Sequence, residues 1–313
     1  MIFNTILLFV SFVFLYYGAK WLIDGASTIA VSLNISKVVI GITLVAFGTS
    51  APELFVNIIA AYRGYSSIAL SNISGSNLAN ICIAYGLCVF FGNLVIDKKE
   101  FGLDFIYFCA APLLILFFLL IFPGNSVPLW GAVVLLVPMA LYIMSIKNRL
   151  YEESVLIEKP PNNSFKGLLI FLAGVITLYF SGEMIVYGAV KISKSLGISE
   201  TIIALTVIAV GTSLPEIATS LIAVKRGETA IAAGNVLGSN IFNIFLVLGV
   251  SLIAARGALV ADRNITIDYA MVSVLSILFV LTLLVRPKVG KLRAGILIGV
   301  YLAYILVRVL FLN

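Results

Sequence analysis

The sequence predicts an all-α membrane protein of ten transmembrane helices, arranged as two inverted five-helix repeats with broken helices at the midplane. Three observations carry this. Of its 313 residues, 62% are hydrophobic and 11% charged, a composition that would leave large apolar patches in water on a soluble domain. Apolar runs of about 20 residues recur along the whole length, enough to cross a bilayer as helices. One polar motif then occurs twice inside those runs, as Gly48-Thr49-Ser50-Ala51-Pro52-Glu53 and as Gly211-Thr212-Ser213-Leu214-Pro215-Glu216. Each copy is followed at the same distance by Gly75-Ser76-Asn77…Asn80 or Gly238-Ser239-Asn240…Asn243.

Apolar runs read against their breakers place the spans at 2–24, 38–61, 67–91, 102–122, 128–146, 165–190, 200–224, 229–255, 266–285 and 293–311. The first run lacks a basic leader and is too long for a signal-peptide core, so it counts as a span. Residues 147–164, with Glu152, Glu153, Glu158, Pro160 and Pro161, form a polar cytoplasmic linker between an N-terminal repeat (1–146) and a C-terminal repeat (165–313). With the N-terminus outside, fourteen Lys and Arg residues fall on the cytoplasmic side and six on the other. That bias follows the positive-inside rule and puts both termini outside, in a membrane expected to be the cell membrane. The net charge of +6 is therefore a topology signal, and no nucleic-acid partner is expected. Cys82, Cys88 and Cys109 all lie in apolar runs and read as small buried hydrophobes rather than a disulfide framework.

Adding 163 to a residue number superimposes the two halves from the first span to the third. Ile35-Ser36 meets Ile198-Ser199, Arg63-Gly64 meets Arg226-Gly227, and Asn72, Asn80 and Gly86 meet Asn235, Asn243 and Gly249. Matching residues lie five spans apart, an odd number, so the repeats are inverted in the membrane. Gly18, Gly25, Gly174 and Gly182 are expected to break the long first and sixth spans, making them candidates for sliding elements.

A carboxylate at the centre of a membrane helix costs roughly 2.5–3.5 kcal/mol or more, and this chain pays it twice in equivalent places. Pro52 and Pro215 have no N–H, so the Gly48 and Gly211 carbonyls lose their helical partners. Freed carbonyls at membrane depth are tolerated where they line a polar cavity. Each motif thus offers backbone oxygens, hydroxyls and one carboxylate, and the pairs Ser76/Asn80 and Ser239/Asn243 add side chains four residues apart on one helix face. All are hard oxygen donors, which select Ca²⁺, Na⁺, K⁺ or Mg²⁺ over transition metals. Two bidentate carboxylates plus the Thr49 and Thr212 carbonyls reach the lower end of the roughly 6–8 oxygens calcium takes, and two charges balance one divalent ion. Asn57 and Ser220 are read as interhelical hydrogen-bonding residues, Asn77 and Asn240 as packing or interhelical hydrogen-bonding residues with ion contact the other reading, and Glu183, which meets Lys20 under the offset, is kept out of the site. The chain contains no histidine, which excludes Ser–His intramembrane proteases and histidine-ligated zinc enzymes.

GTSAPE and GTSLPE, with the GSN…N elements behind them, resemble the two α-repeats of the Ca²⁺/cation antiporter superfamily, and within it a short prokaryotic-type member of the sodium/calcium exchanger family. The similarity covers both halves. It implies an antiporter, not an enzyme, exchanging Ca²⁺ for Na⁺ by alternating access, with those ions as substrates and no cofactor. By position it implies Glu53 and Glu216 as central ligands, joined for calcium by the Thr49 and Thr212 carbonyls. Sodium would use the same groups with Ser50, Ser213, Ser76, Ser239 and the carbonyls of Ala46 and Ala209, while Asn80 and Asn243 complete the cluster. Potassium-dependent relatives carry Asp where this chain has Asn243, so potassium-independent, electrogenic exchange by a monomer is expected. The alternative within the superfamily is proton/calcium exchange.

Overall fold

The computed structural model describes residues 2–92, 94–152, 163–196 and 209–311. The first half begins with α1 (Ile2–Leu33). Then come α2 (Lys37–Thr49) and α3 (Ala51–Tyr62), two pieces of one apolar stretch bent by 46°. Three further helices follow, α4 (Ser66–Phe91), α5 (Lys98–Ile121) and α6 (Gly131–Glu152). The second half holds α7 (Ser164–Ser195), a helical turn α8 (Ala209–Gly211), α9 (Leu214–Lys225), α10 (Thr229–Ala255), α11 (Arg263–Val285) and α12 (Lys291–Phe311). Two short strands, β1 (Ser126–Val127) and β2 (Leu259–Val260), pair antiparallel in the loops after α5 and α10. Among the described residues, six helices are each long and apolar enough to cross a membrane, and the bent α2–α3 pair makes a seventh.

Local chemistry sets the helix ends. Ser36, Asp97 and Asp262 cap α2, α5 and α11, accepting from Val39 N (3.2 Å), Lys99 N (3.0 Å) and Ile265 N (2.8 Å). The turns from α3 to α4 and from α9 to α10 pass through Gly64 and Gly227, at φ +81° and +79°, a conformation glycine adopts without strain. Prolines 52 and 215 lie in the first turn of α3 and α9, where a missing N–H costs nothing. The non-helical residue is the serine before each: Ser50 at φ −85°, ψ 4° and Ser213 at φ −88°, ψ 2°.

Several expectations shift. The first helix continues nine residues past the expected end at 24, to Leu33, and at about 1.5 Å per residue it exceeds a hydrocarbon core of about 30 Å. Gly18, Gly25, Gly174 and Gly182 do not break α1 or α7, which run as continuous helices packed along each other. The first three allow close approach instead: a Cβ on Gly25 would lie 2.4 Å from Phe171 N, and one on Gly174 2.4 Å from Leu22 N. The stretch expected to be linker from 147 is helical to Glu152. Residues 153–162 of that linker, Ile198-Ser199 and positions 200–208 of the seventh expected span lie outside the described residues.

The centre of the fold is the pair α4 and α10, buried along most of their length, with α1 and α7 largely exposed at the periphery. Close approach of α2 to α10 runs through glycine: Cβ atoms on Gly234 and Gly238 would meet Ile42 N at 2.6 Å and the Ala46 side chain at 2.7 Å. Contacts between chain turns tie particular loops together. Asp24 pairs with Arg226, Lys37 with Glu228 at 2.7 Å, and Val95 bridges to Lys288. At the ends marked by β1 and β2, Ala261 N donates to Asn125 O at 2.9 Å, and Arg256 lies 5.8 Å from the Tyr62 ring centre. Cys82, Cys88 and Cys109 are free thiols, the first two buried.

Candidate cation site

Each Glu owes its position to a broken helix. The break at Ser50 starts α3 two residues before Glu53, and the break at Ser213 starts α9 two residues before Glu216. Both carboxylates therefore sit in a first helical turn, where the unpaired N–H groups and the helix dipole favour negative charge. Glu53 is 0% exposed and Glu216 1%.

Around them the two halves interlock. Ser50 Oγ donates to Glu216 Oε1 at 3.1 Å, and Ser76 Oγ donates to Glu53 Oε1 at 3.3 Å. Thr49 Oγ1 donates to Asn235 Oδ1 at 3.0 Å and lies 3.3 Å from Ser239 Oγ. Thr212 Oγ1 mirrors it, 3.3 Å from Asn72 Oδ1 and 3.4 Å from Ser76 Oγ. Each asparagine is aimed by a neighbour: Asn235 Nδ2 donates to Ser220 Oγ at 2.9 Å, and Asn72 Nδ2 to Asn57 Oδ1 at 2.7 Å. Deeper along α4 and α10, Asn243 Nδ2 donates to Asn77 Oδ1 at 3.1 Å, and Asn77 Nδ2 to the Asn240 carbonyl at 3.2 Å.

The structure thus gathers Glu53, Ser76 and Thr212 into one hydrogen-bonded set and Glu216, Ser50, Thr49 and Ser239 into a second beside it. Asn80, Asn243 and Ser213 are buried beside them. The carbonyl of Ala46 accepts from Thr49 Oγ1 at 3.3 Å and from Ser50 N at 3.0 Å, and Ala209 opens the helical turn before the second break. Asn57, Ser220 and Asn77 make hydrogen bonds between helices as expected, the Asn240 amide instead donates along its own helix to Val236 O at 2.7 Å, and Glu183 is exposed, apart from the cluster. Sequence reasoning missed Asn72 and Asn235, the acceptors for the two threonines. Their correspondence under the 163-residue offset was the signal available.

What remains unfilled defines the chemistry. Glu53 Oε2, Glu216 Oε2, both amide atoms of Asn80, Asn243 Oδ1 and Ser213 Oγ are buried with no hydrogen-bond partner among the described residues. Buried oxygens without partners cost free energy, most of all on carboxylates. A hard cation placed among them offsets that cost, whereas soft metals have nothing to bind. No group of three or more His, Cys, Asp or Glu side chains occurs among the described residues.

Comparison with known proteins meets this geometry. The family model described as sodium/calcium exchanger protein matches residues 3–146 and again 166–310. The antiporter-named CaxA of Alkalimonas amylolytica is 36% identical, the match covering 94% of this chain and 92% of that protein. The sodium/calcium exchanger MaX1 of Methanosarcina acetivorans is 29% identical over 97% of this chain and 98% of its own. A solved structure of the sodium-calcium exchanger NCX_Mj, soaked with sodium and no calcium, superimposes with a TM-score of 0.81 at 29% identity, covering 97% of this chain and 98% of that one. Its relatives are exchangers rather than enzymes. The chain belongs to the sodium/calcium exchanger family, as an integral membrane protein that carries out cation antiport.

Proposed function

We propose that this chain exchanges Ca²⁺ for Na⁺ by alternating access, the two ions competing for the oxygens around Glu53 and Glu216. The observation that carries the proposal is the set of unpartnered buried oxygens, Glu53 Oε2, Glu216 Oε2, Asn80 Oδ1 and Asn243 Oδ1, gathered at two helix breaks. Calcium takes both carboxylates and the Thr49 and Thr212 carbonyls. Sodium takes the same oxygens with Ser50, Ser213, Ser76, Ser239 and the carbonyls of Ala46 and Ala209. Either load satisfies the carboxylates and permits switching; the empty, doubly charged site does not switch. One chain supplies every oxygen named, so a monomer suffices as the transport unit.

The architecture behind this is ten spans in two inverted repeats, 1–146 and 165–313, joined by a cytoplasmic linker. The family model's two matches support the repeat. Loop contacts support the span count: Lys37–Glu228 and Val95–Lys288 each join segments that ten spans put inside, and β1–β2 joins two loops that they put outside. A miscount by one span between the contacting loops would bring loops from opposite faces into contact. Positive charge then sets both termini outside, in the cell membrane.

Asn243 brings an amide where a carboxylate would add a third charge, which favours exchange without potassium. Three sodium ions against one calcium would move one net charge, coupling transport to voltage at about 2.3 kcal/mol per 100 mV. The test is ⁴⁵Ca²⁺ uptake into proteoliposomes under separately imposed sodium, potassium and proton gradients. Uptake is expected from the sodium gradient alone, and faster when the membrane potential favours net charge movement. Glu53→Gln and Glu216→Gln each remove a buried charge worth about 2–5 kcal/mol to its partner, so uptake should fall at least about 30-fold. Uptake driven by a pH gradient without sodium would assign proton/calcium exchange instead.

A further inference from the structure

A cavity of about 240 Å³ opens between α4, α11 and α12, away from the cation cluster. Its walls along α11 from Leu275 to Leu283 are apolar apart from Thr282, and Val300 closes it on α12. Eight residues of helix give it a length of about 12 Å, close to the roughly 15 Å depth of one leaflet's hydrocarbon. Arg293 lines the end nearest the α11–α12 loop. That loop and its edges carry Arg286, Lys288, Lys291 and Arg293 within eight residues, all exposed and with no acidic residue between them. None of the four forms an ion pair among the described residues, where Lys37–Glu228, Arg226–Asp24 and Arg308–Asp268 do.

An apolar slot of one leaflet's depth, with a cation at its mouth and more behind, has the shape and charge of a seat for an anionic phospholipid. We propose that one acyl chain of such a lipid, from the leaflet on the α11–α12 loop side, fills this cavity while its phosphate rests on Arg293. The assignment of that leaflet as cytoplasmic rests on the topology proposed above; the seat itself does not. The cavity touches the transport machinery at one point. Tyr85 forms part of its wall, packed edge-to-face on Phe279 with ring centres 4.7 Å apart. Tyr85 directly follows the π-helical stretch Asn80–Ala84, whose first residue belongs to the cation cluster. A chain in the slot supports that wall from the lipid side and so biases how freely α4 shifts around Asn80.

Native mass spectrometry of the full purified chain tests this, with dioleoylphosphatidylglycerol against dioleoylphosphatidylcholine as probes. The wild type should retain one phosphatidylglycerol in preference to phosphatidylcholine. Arg293→Gln, which removes the phosphate contact, should weaken that binding about fivefold, one juxtamembrane charge being worth about 1 kcal/mol. Thr282→Phe, which fills the slot without changing charge, should weaken it by a similar factor. Arg286→Gln, in the same basic run but outside the lining, should change it less than twofold. No preference between the two lipids, or equal losses in Arg286→Gln and Arg293→Gln, overturns the proposal in favour of diffuse surface charge. Matched thermal melting of the lipid-free variants separates lost binding from lost fold. Because the readout is lipid retention, failure here leaves the exchange reading untouched, and a failed exchange assay leaves the lipid seat untouched.

Discussion

The two halves of the chain build the same frame and wire it differently. Thr49 reaches Asn235 and Ser239 across the repeat boundary, and Thr212 reaches Asn72 and Ser76 in the same way. The carboxylates break the pattern. Glu53 accepts from Ser76 of its own half, whereas Glu216 accepts from Ser50 of the other, and the hydroxyl of Ser213, the counterpart of Ser50, has no hydrogen-bond partner among the described residues. Asn243 donates to Asn77 while both amide atoms of Asn80 are unpartnered. Threonine–asparagine contacts that repeat hold the halves together; carboxylate contacts that do not repeat are the ones free to change. On the proposed inverted-repeat reading, a carrier facing one way must be asymmetric somewhere, and the asymmetry falls on the oxygens proposed to bind the ions.

The largest expected effect lies outside the cluster. Asp268 in α11 pairs with Arg308 in α12 at 3.2 Å. The side chains of Asp268 and Arg308 are only 2% and 11% exposed. Removing one charge from a buried pair strands the other, at about 3–5 kcal/mol. Asp268→Asn should lower the thermal midpoint of the purified protein sharply. An unshifted melting curve would mean that Arg308 finds water or lipid headgroups when its partner is lost.

A middle-sized effect tests the carboxylate wiring itself. Ser50→Ala deletes a hydrogen bond to a charged acceptor, worth about 1.5–3 kcal/mol, and should reduce apparent calcium affinity about tenfold or more. Ser213→Ala deletes a hydroxyl that holds nothing in this state and should cost less than about threefold. Isothermal titration of the detergent-solubilised variants with calcium measures both. If the two losses match, the Ser50–Glu216 bond does not survive ion loading, and the asymmetry belongs to the empty site alone.

Much of this was legible beforehand because polar residues inside apolar runs are conspicuous. Glu53, Glu216 and the serine, threonine and asparagine residues around them stand out against a hydrocarbon background, and a fixed offset of 163 residues pairs them. Partner identity was not legible. That Thr49 meets Asn235 rather than Asn80 depends on how α2 docks against α10, and the docking is set by Gly41, Gly234 and Gly238 letting the backbones touch. The prolines misled on the place of the break, since a proline in a helix's first turn looks the same in sequence as one that interrupts a helix, and the bend belongs to Ser50 and Ser213. Glycines misled likewise in α1 and α7: their spacing signals weakness along one helix, but in the fold they are where two helices meet.

The smallest effect separates ligand from scaffold at the two asparagines. Asn243→Ala loses an interhelical hydrogen bond to Asn77, worth about 0.6 kcal/mol in a membrane protein, as well as a free oxygen facing the cluster. Asn80→Ala loses only unpartnered atoms and leaves every described bond in place. Both should weaken sodium-driven calcium uptake, but only Asn243→Ala should also lower thermal stability in the absence of ions. Should Asn80→Ala instead raise ion-free stability, that would sharpen the comparison, because relieving two unsatisfied buried amide atoms is what a residue held for an ion, and not for the fold, is expected to do. A loss of ion-free stability equal to that of Asn243→Ala would make Asn80 a packing residue and shift the burden of ion binding onto the second half.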